Sequence, residues 1–354
     1  MSLKKIIKQV IPSFRTEERI LAELNMLHMR IEQLENRITQ LDKKNEYQFY
    51  CLQHLDNETD IETKKRIFLN LPRASGKVRD FQIGSNYILQ RVKNICDNNQ
   101  LEFFLDYGTL LGAIRHKGFI PWDDDVDIMM FRNDYFALEK ILSDDEELTM
   151  RRFYRYKNDG KSASYVMKVK LKESDQFFVD VFVRDFIQAN NHSENEIWDS
   201  TVRLCDEYHK ALYDVFEANG FKYNGSTRPQ AYTKLDYDVI NLEREYLNSF
   251  NNYYLPTEKV DYLCAGIEIE KEFRQGIKLI RYTDTVPILK NALNFEGEVY
   301  SALNNYDKYL TNLYGDYWSL PPSIKPVHSQ EFLEFSDTDV NLLNEIQNIH
   351  NKKN

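Results

Sequence analysis

The chain has 354 residues, 42% hydrophobic and 29% charged, which suits a water-exposed globular fold of one large or two modest domains. Its formal net charge of −10 excludes a general nucleic-acid binder, because phosphate backbones are held by basic surfaces. Cys51, Cys96, Cys205 and Cys264 are too scattered for a metal-ligand spacing, no apolar run approaches the length of a membrane span, and no signal peptide is visible, so a cytoplasmic protein with reduced thiols is expected.

Residues 1–15, MSLKKIIKQVIPSFR, mix Lys4, Lys5, Lys8 and Arg15 with Leu3, Ile6, Ile7, Val10, Ile11 and Phe14 and hold no acid. Such a basic amphipathic segment can lie on an anionic membrane surface; a solvated positive helix tip is the alternative. Over 16–45, Ile20, Leu24, Leu27, Ile31, Leu34, Ile38 and Leu41 recur as a heptad, with Leu24, Ile31 and Ile38 at a and the others at d. The flanking g-to-e pairs, Glu23 with His28, Arg30 with Glu35 and Arg37 with Asp42, are mostly attractive between parallel copies. An oligomerising coiled coil is expected, against a single amphipathic helix packed on its own domain.

Residues 46–80 read as a polar linker with a turn at Pro72 to Gly76. A helix over about 81–99 should precede the strand LEFFLDY. Asp134 is the expected N-cap of a helix running through Leu142, with Tyr135, Leu138, Ile141 and Leu142 on one face. The acidic run Asp144 to Glu147 reads as a solvated turn. Strands follow at SYVMKVKLK (164–172) and QFFVDVFV (176–183), and residues 194–255 read as helical and Tyr-rich.

The chemistry concentrates in residues 106–134, DYGTLLGAIRHKGFIPWDDDVDIMMFRND. On a strand VDIMMF, alternation puts Asp125 and Asp127 on one face and Val126 and Ile128 on the other. Neighbouring carboxylates on an apolar strand repel and lose hydration unless a cation or proton is shared between them. A hard divalent metal, Mg²⁺ or Mn²⁺, meets that need and serves phosphate chemistry. Asp180 in QFFVDVFV needs a partner for the same reason, which makes a three-carboxylate set suited to metal-dependent phosphoryl or nucleotidyl transfer. Asp180 would complete the metal site or take the proton of an attacking hydroxyl. Gly108 and Thr109 open the short helix LLGAIR, whose free N–H groups suit a phosphate. An EF-hand is excluded, because Ile128 stands where its loop needs Gly and Asp134 where it needs Glu.

The run DYGTLLGAIRHKGFIPWDDDVDI resembles the signature of the LicD family, which includes the fukutin-type proteins. The stretch NFEGEVYSALNNYDKYLTNLYGDYWSLPP (294–322) resembles the family in its FEG and LYGDYW-LPP elements. The resemblance implies an α+β, nucleotidyltransferase-like mixed sheet flanked by helices. That catalytic domain would span 81–335, behind the N-terminal coiled-coil helix, with a helical C-terminal region and a tail at 336–354. It implies transfer of a phospho-alcohol, of phosphocholine, phosphoribitol or phosphoglycerol type, from a CDP-activated donor to a glycan hydroxyl. Precursors of teichoic acid or lipopolysaccharide fit such an acceptor. A sugar-1-phosphate transferase on the same fold is an alternative, as is a GT-A-like nucleotide-sugar glycosyltransferase. The latter would need a nucleotide-binding βαβ half where the coiled coil and linker stand.

Carried over by position, the family's metal-site acids fall on Asp125 and Asp127, with Asp123 beside them and Asp180 as the third carboxylate. Gly108 and Thr109 match its phosphate-binding turn. Arg115 would counter donor phosphate, and Lys168 and Lys170, sharing one strand face, could reach the donor; surface pairing and solubility are their alternative roles. Trp122, Glu296 and Asp316 read as structural, and His116 and His328 as lone histidines. The expected partners are a CDP-alcohol, a glycan or lipid-linked glycan, a second copy through residues 20–41, and the inner face of a membrane through residues 1–15.

Overall fold

The computed structural model describes residues 3–157, 160–174, 176–189, 191–221, 234–249, 261–269, 280–281, 289–321 and 335–353. His328 lies outside them. The chain divides into two compact units, Met1–Ile67 with Trp318–Ser323, and Phe68–Tyr317 with Ile324–Asn354.

The first unit carries helix α1 (Leu3–Gln53), a single run of 51 residues that includes the whole heptad. Most of α2 (Asp60–Leu69) belongs to it too. Thr59 caps α2 by accepting from the Glu62 N–H, while the Glu62 carboxylate takes the Thr59 N–H at 2.8 Å, a reciprocal capping box. The expected linker at 46–80 is therefore largely helical, holding the end of α1, all of α2 and the start of α3. Its polarity is that of exposed helix faces, and the non-helical stretch shrinks to residues 70–76 and a short turn near 54–59.

The second unit is built on a mixed sheet, as an α+β nucleotidyltransferase-like fold requires. Its strands are β1 (Phe103–Leu105), β2 (Asp127–Phe131), β3 (Leu148–Tyr156), β4 (Ala163–Leu171), β5 (Phe178–Ile187), β6 (Tyr262–Ala265) and β7 (Ile280–Arg281). The main order is β1-β2-β5-β4-β3. Strand β5 is central: it pairs in parallel with β2 on one edge and antiparallel with β4 and then β6 on the other. That position explains its near-continuous burial. Strand β3 went unread in the sequence, although Leu148, Met150, Arg152 and Tyr154 alternate inward along it. A buried arginine in the alternating set hides the pattern. Since β4 pairs on both edges, Lys168 and Lys170 do not stand on an edge strand.

Helix α3 (Lys77–Asn99) buries Phe81, Ile88, Leu89, Val92 and Cys96, a stripe at helical spacing, and contacts β4 and β5. Helix α4 (Tyr107–His116) follows β1 directly, and α5 (Arg132–Asp144) follows β2. Asp134 is not the cap of α5; it sits in the first turn and accepts the Glu102 N–H at 3.4 Å. The acidic run after α5 is also more than a solvated turn. Glu147 binds Arg91 and Tyr87 of α3, and Asp145 takes the N–H groups of Glu147 and Leu148. Helices α6 (Glu194–Ala218) and α7 (Lys234–Ser249) pack together, with α6 also against β4. The remaining elements are the hairpin β8 (Leu289–Phe295) and β9 (Glu298–Ala302), α8 (Tyr306–Tyr314) and α9 (Asp337–Lys353).

The β8–β9 turn is Glu296-Gly297, both at positive φ (51° and 86°), which suits the twist of a two-residue hairpin. Glu296 donates its N–H to Lys117 O and accepts from the Phe119 N–H, while its carboxylate pairs with Arg79 at 2.8 Å and Arg73 at 3.2 Å. The hairpin thus holds the loop between α4 and β2. Gly118 of that loop approaches Gly112 of α4 so closely that a Cβ on Gly112 would lie 2.5 Å from Gly118 O. Backbone cannot yield as a side chain would. Gly112→Ala is expected to cost about 1–3 kcal/mol of unfolding free energy, read as a lowered urea midpoint at unchanged slope.

Candidate active site

Asp106, between β1 and α4, organises the site from beneath. Its carboxylate accepts the Tyr107 N–H at 2.8 Å and caps α4, while its own N–H donates to Asp127 O at 3.1 Å. Arg184 of β5 donates to Asp106 Oδ2 at 2.9 Å and to the Tyr309 hydroxyl at 2.6 Å, and that hydroxyl donates to Asp106 Oδ1. Asp106 and Arg184 are 0% and 1% exposed, so each charge depends on the other for compensation. Thr109 fixes the start of β2, its hydroxyl oxygen accepting the Asp127 N–H at 2.8 Å.

On this base the carboxylates converge. Asp127 and Asp180 are register partners on parallel strands, and the Asp180 N–H donates to Val126 O at 2.7 Å. Strand β2 begins at Asp127, so Asp125 reaches the cluster from the preceding loop and not as a second residue of one strand face. Thr109 and Asp106 tether the chain at Asp127, and Val126 takes the Asp180 N–H, so residues 123–125 approach the sheet as a loop ahead of the strand. Asp125, Asp127 and Asp180 each bring a carboxylate oxygen within 4.8 Å of the others. Burial, and then the charge of Asp125, push the Asp123 and Asp127 carboxyls well above the usual range, with Asp180 adding to the rise at Asp127. An all-oxygen donor set under such mutual repulsion fits a hard divalent cation. Lys168 sets its ammonium 2.6 Å from Asp180 Oδ1 and over the Phe178 ring.

Asp123 and Gly108 explain one another. A Cβ on Gly108 would stand 2.6 Å from Asp123 Oδ2, so glycine lets that carboxylate lie against the α4 N-terminus, where an anion is favoured.

The four aspartates line a cavity of about 340 Å³ together with Tyr107 and Gly108. The β3–β4 hairpin contributes Arg155, Ser164 and Tyr165, with Arg155 Nε donating to Ser164 Oγ at 3.1 Å. Phe182, Ile269, Glu268 and Tyr314 also line it. Glu268 is held by Arg132, which binds Asp185 and Glu243 as well. Sequence reasoning passed over Arg155, Tyr165, Glu268 and Tyr314. Only Tyr314 had a signal, its place in the LYGDYW element.

Other expected site residues lie outside the cavity wall. Arg115 is 3% exposed, its guanidinium stacked 3.5 Å from the Phe68 ring centroid and donating to Tyr317 O at 3.2 Å. Lys170 is buried near the Phe153 ring, and Lys168 and Thr109 act through Asp180 and Asp127. His116 donates from Nδ1 to Phe68 O at 2.7 Å. Burial, and then the Arg115 charge, lower its imidazole to about 4. An unfolded chain titrates near 6.5, so between those values the unfolded state binds the proton and the folded state does not. Stability therefore falls as pH drops through this window, by up to about 1.4 kcal/mol per unit. Urea unfolding between pH 7 and 5 should show that slope flattened in His116→Gln.

Residues 100–227 match the model of the LicD/FKTN/FKRP nucleotidyltransferase domain. The chain is 26% identical over 267 residues to the lipopolysaccharide cholinephosphotransferase LicD of Haemophilus influenzae, covering 72% of this chain and 97% of that protein. It is 29% identical over 151 residues to an uncharacterised Rickettsia prowazekii protein, covering 42% of this chain and 54% of the relative. It is 28% identical over 151 residues to an uncharacterised Caenorhabditis elegans protein, covering 42% and 38%.

Proposed function

The chain belongs to the LicD family through residues 100–227, and from that premise we propose that it is a metal-dependent phosphotransferase of surface-glycan assembly. It moves a phospho-alcohol from a CDP-activated donor to a glycan hydroxyl. The observation that carries this reading is the convergence of Asp125, Asp127 and Asp180 in the cavity of the family domain. These three would hold Mg²⁺ or Mn²⁺, which supplies charge neutralisation for the transferring phosphoryl group. Lys168 orients Asp180, which ligates the ion or accepts the proton of the attacking hydroxyl. Arg155, steadied by Ser164, binds a donor phosphate oxygen, a task first assigned to Arg115. Tyr107, Tyr165, Phe182 and Tyr314 line the cavity, and an aromatic lining would suit a cationic alcohol, which favours phosphocholine as the group transferred. Likeness to a lipopolysaccharide cholinephosphotransferase across nearly all of that protein's length supports the same choice.

Among the described residues no helix is long and apolar enough to cross a membrane. The basic, apolar segment 1–15 would instead hold the enzyme at the cytoplasmic face, beside a lipid-linked acceptor. Sedimentation with phosphatidylglycerol vesicles should be lost when residues 1–15 are removed; binding unchanged by that deletion would refute the membrane role.

Incubation with CDP-choline, CDP-ribitol, CDP-glycerol and nucleotide sugars, followed by CMP release, tests the reaction. Activity should need an added divalent ion and fall by at least about 100-fold in Asp125→Ala and Asp127→Ala. Near-normal rates in either variant would sink the metal assignment. Arg155→Met should raise the donor KM by about 10- to 100-fold, the worth of a charge-assisted hydrogen bond; an unchanged KM removes Arg155 from the donor site.

A further inference from the structure

Helix α1 carries an apolar seam that its own unit leaves open. Ile20, Leu24, Leu27, Ile31, Leu34, Ile38 and Leu41 are each 50–58% exposed, although they form a regular a/d series. A hydrophobic stripe this long on a helix normally faces a partner. We propose that the seam is covered by the same seam of a second copy, as a parallel, in-register, two-stranded coiled coil over residues 20–45.

Three features of the helix choose this occupant and this geometry. The first is charge complementarity of the seam with itself. In a parallel pair Arg30 meets Glu35 of the second copy and Arg37 meets Asp42, each contact occurring twice by symmetry, with Glu23 beside His28. The second is orientation. An antiparallel pair aligns g with g and e with e. The alignment that sets Glu23 against Lys44 also sets Arg30 against Arg37, so its attractive and repulsive g contacts offset. In the parallel form every g-to-e pair is attractive once His28 is protonated, and two of the three are attractive without it. The third is Asn45, exposed on α1 and standing at the a position next after Ile38. An asparagine at one a position selects two strands in parallel register, because its amide finds its equal in the facing copy at the same level. Ile at a with Leu at d makes the same choice of strand number.

Sedimentation equilibrium of the full chain tests the association, and the expected mass is that of two chains. Leu27→Asp combined with Leu34→Asp should give a single-chain mass while the second unit keeps its unfolding transition, since both side chains are exposed. Orientation is read in a Cys51→Ser background, because Cys51 is itself exposed on α1. There the Leu41→Cys variant should oxidise to an interchain disulfide, whereas antiparallel helices would hold the two thiols about 25 Å apart along the axis. Asn45→Ile should replace the unique two-chain mass with a mixture including higher species. A single-chain or three-chain mass for the native protein overturns the proposal, as does failure of the Leu41→Cys variant to crosslink. An unchanged two-chain mass in Asn45→Ile removes Asn45 from the account of strand number.

Discussion

Asp127 and Asp180 stand side by side on β2 and β5, the only parallel pair among the described strands, and their like charges at one level of a buried sheet set the terms for everything around them. Packing alone would favour apolar residues at both positions, as at the neighbouring pairs Ile128–Val181 and Met129–Phe182. Keeping two carboxylates there requires a shared proton or compensating positive charge, and a framework that cannot relax the acids apart. The ammonium of Lys168 reaches Asp180. The all-oxygen geometry with Asp125 leaves room for the cation that would satisfy the rest.

The framework is redundant in a way that suits this task. Asp106 ties the end of β1 to β2 through its backbone, caps α4 through one oxygen, and meets Arg184 through the other. Thr109 adds a bond from α4 to Asp127 itself. The β8–β9 hairpin then grips the loop from α4 to β2 by way of Glu296. Two sequence-distant segments, β5 through Arg184 and the β8–β9 hairpin through Glu296, hold a stretch of about twenty residues, and the loop acids are presented from it.

What could be read from the residues followed from how local each signal is. A lone aspartate between valines and phenylalanines marks itself, so Asp180 was legible, as was the acidic run that includes Asp125 and Asp127. The start of β2 was not, because it depends on a hydroxyl contributed by Thr109 eighteen positions earlier. Strand β3 was hidden by Arg152, whose burial is balanced by Glu139 and Glu243 on other elements. Arg115 looked like a donor ligand because a basic residue ending a short helix is normally exposed. Its stacking on Phe68 is a tertiary fact with no local trace. Arg155 enters the cavity from that unread strand, and Tyr165, although on a strand that was read, faces the cavity only through the pairing of β4 with β3 and β5, so neither role had a local signal.

The Asp106–Tyr309 bond joins positions 203 residues apart. During synthesis the acidic loop leaves the ribosome long before α8 does. Until α8 arrives, Arg184 and Asp106 lack one of the hydrogen bonds that hold them in the folded protein. Closing so long a loop is slow compared with forming α4 or the β3–β4 hairpin. The acid-lined pocket therefore gains the last of these contacts only once α8 has been made, and a chain interrupted before residue 306 would carry the whole acidic motif without the α8 contacts that complete it.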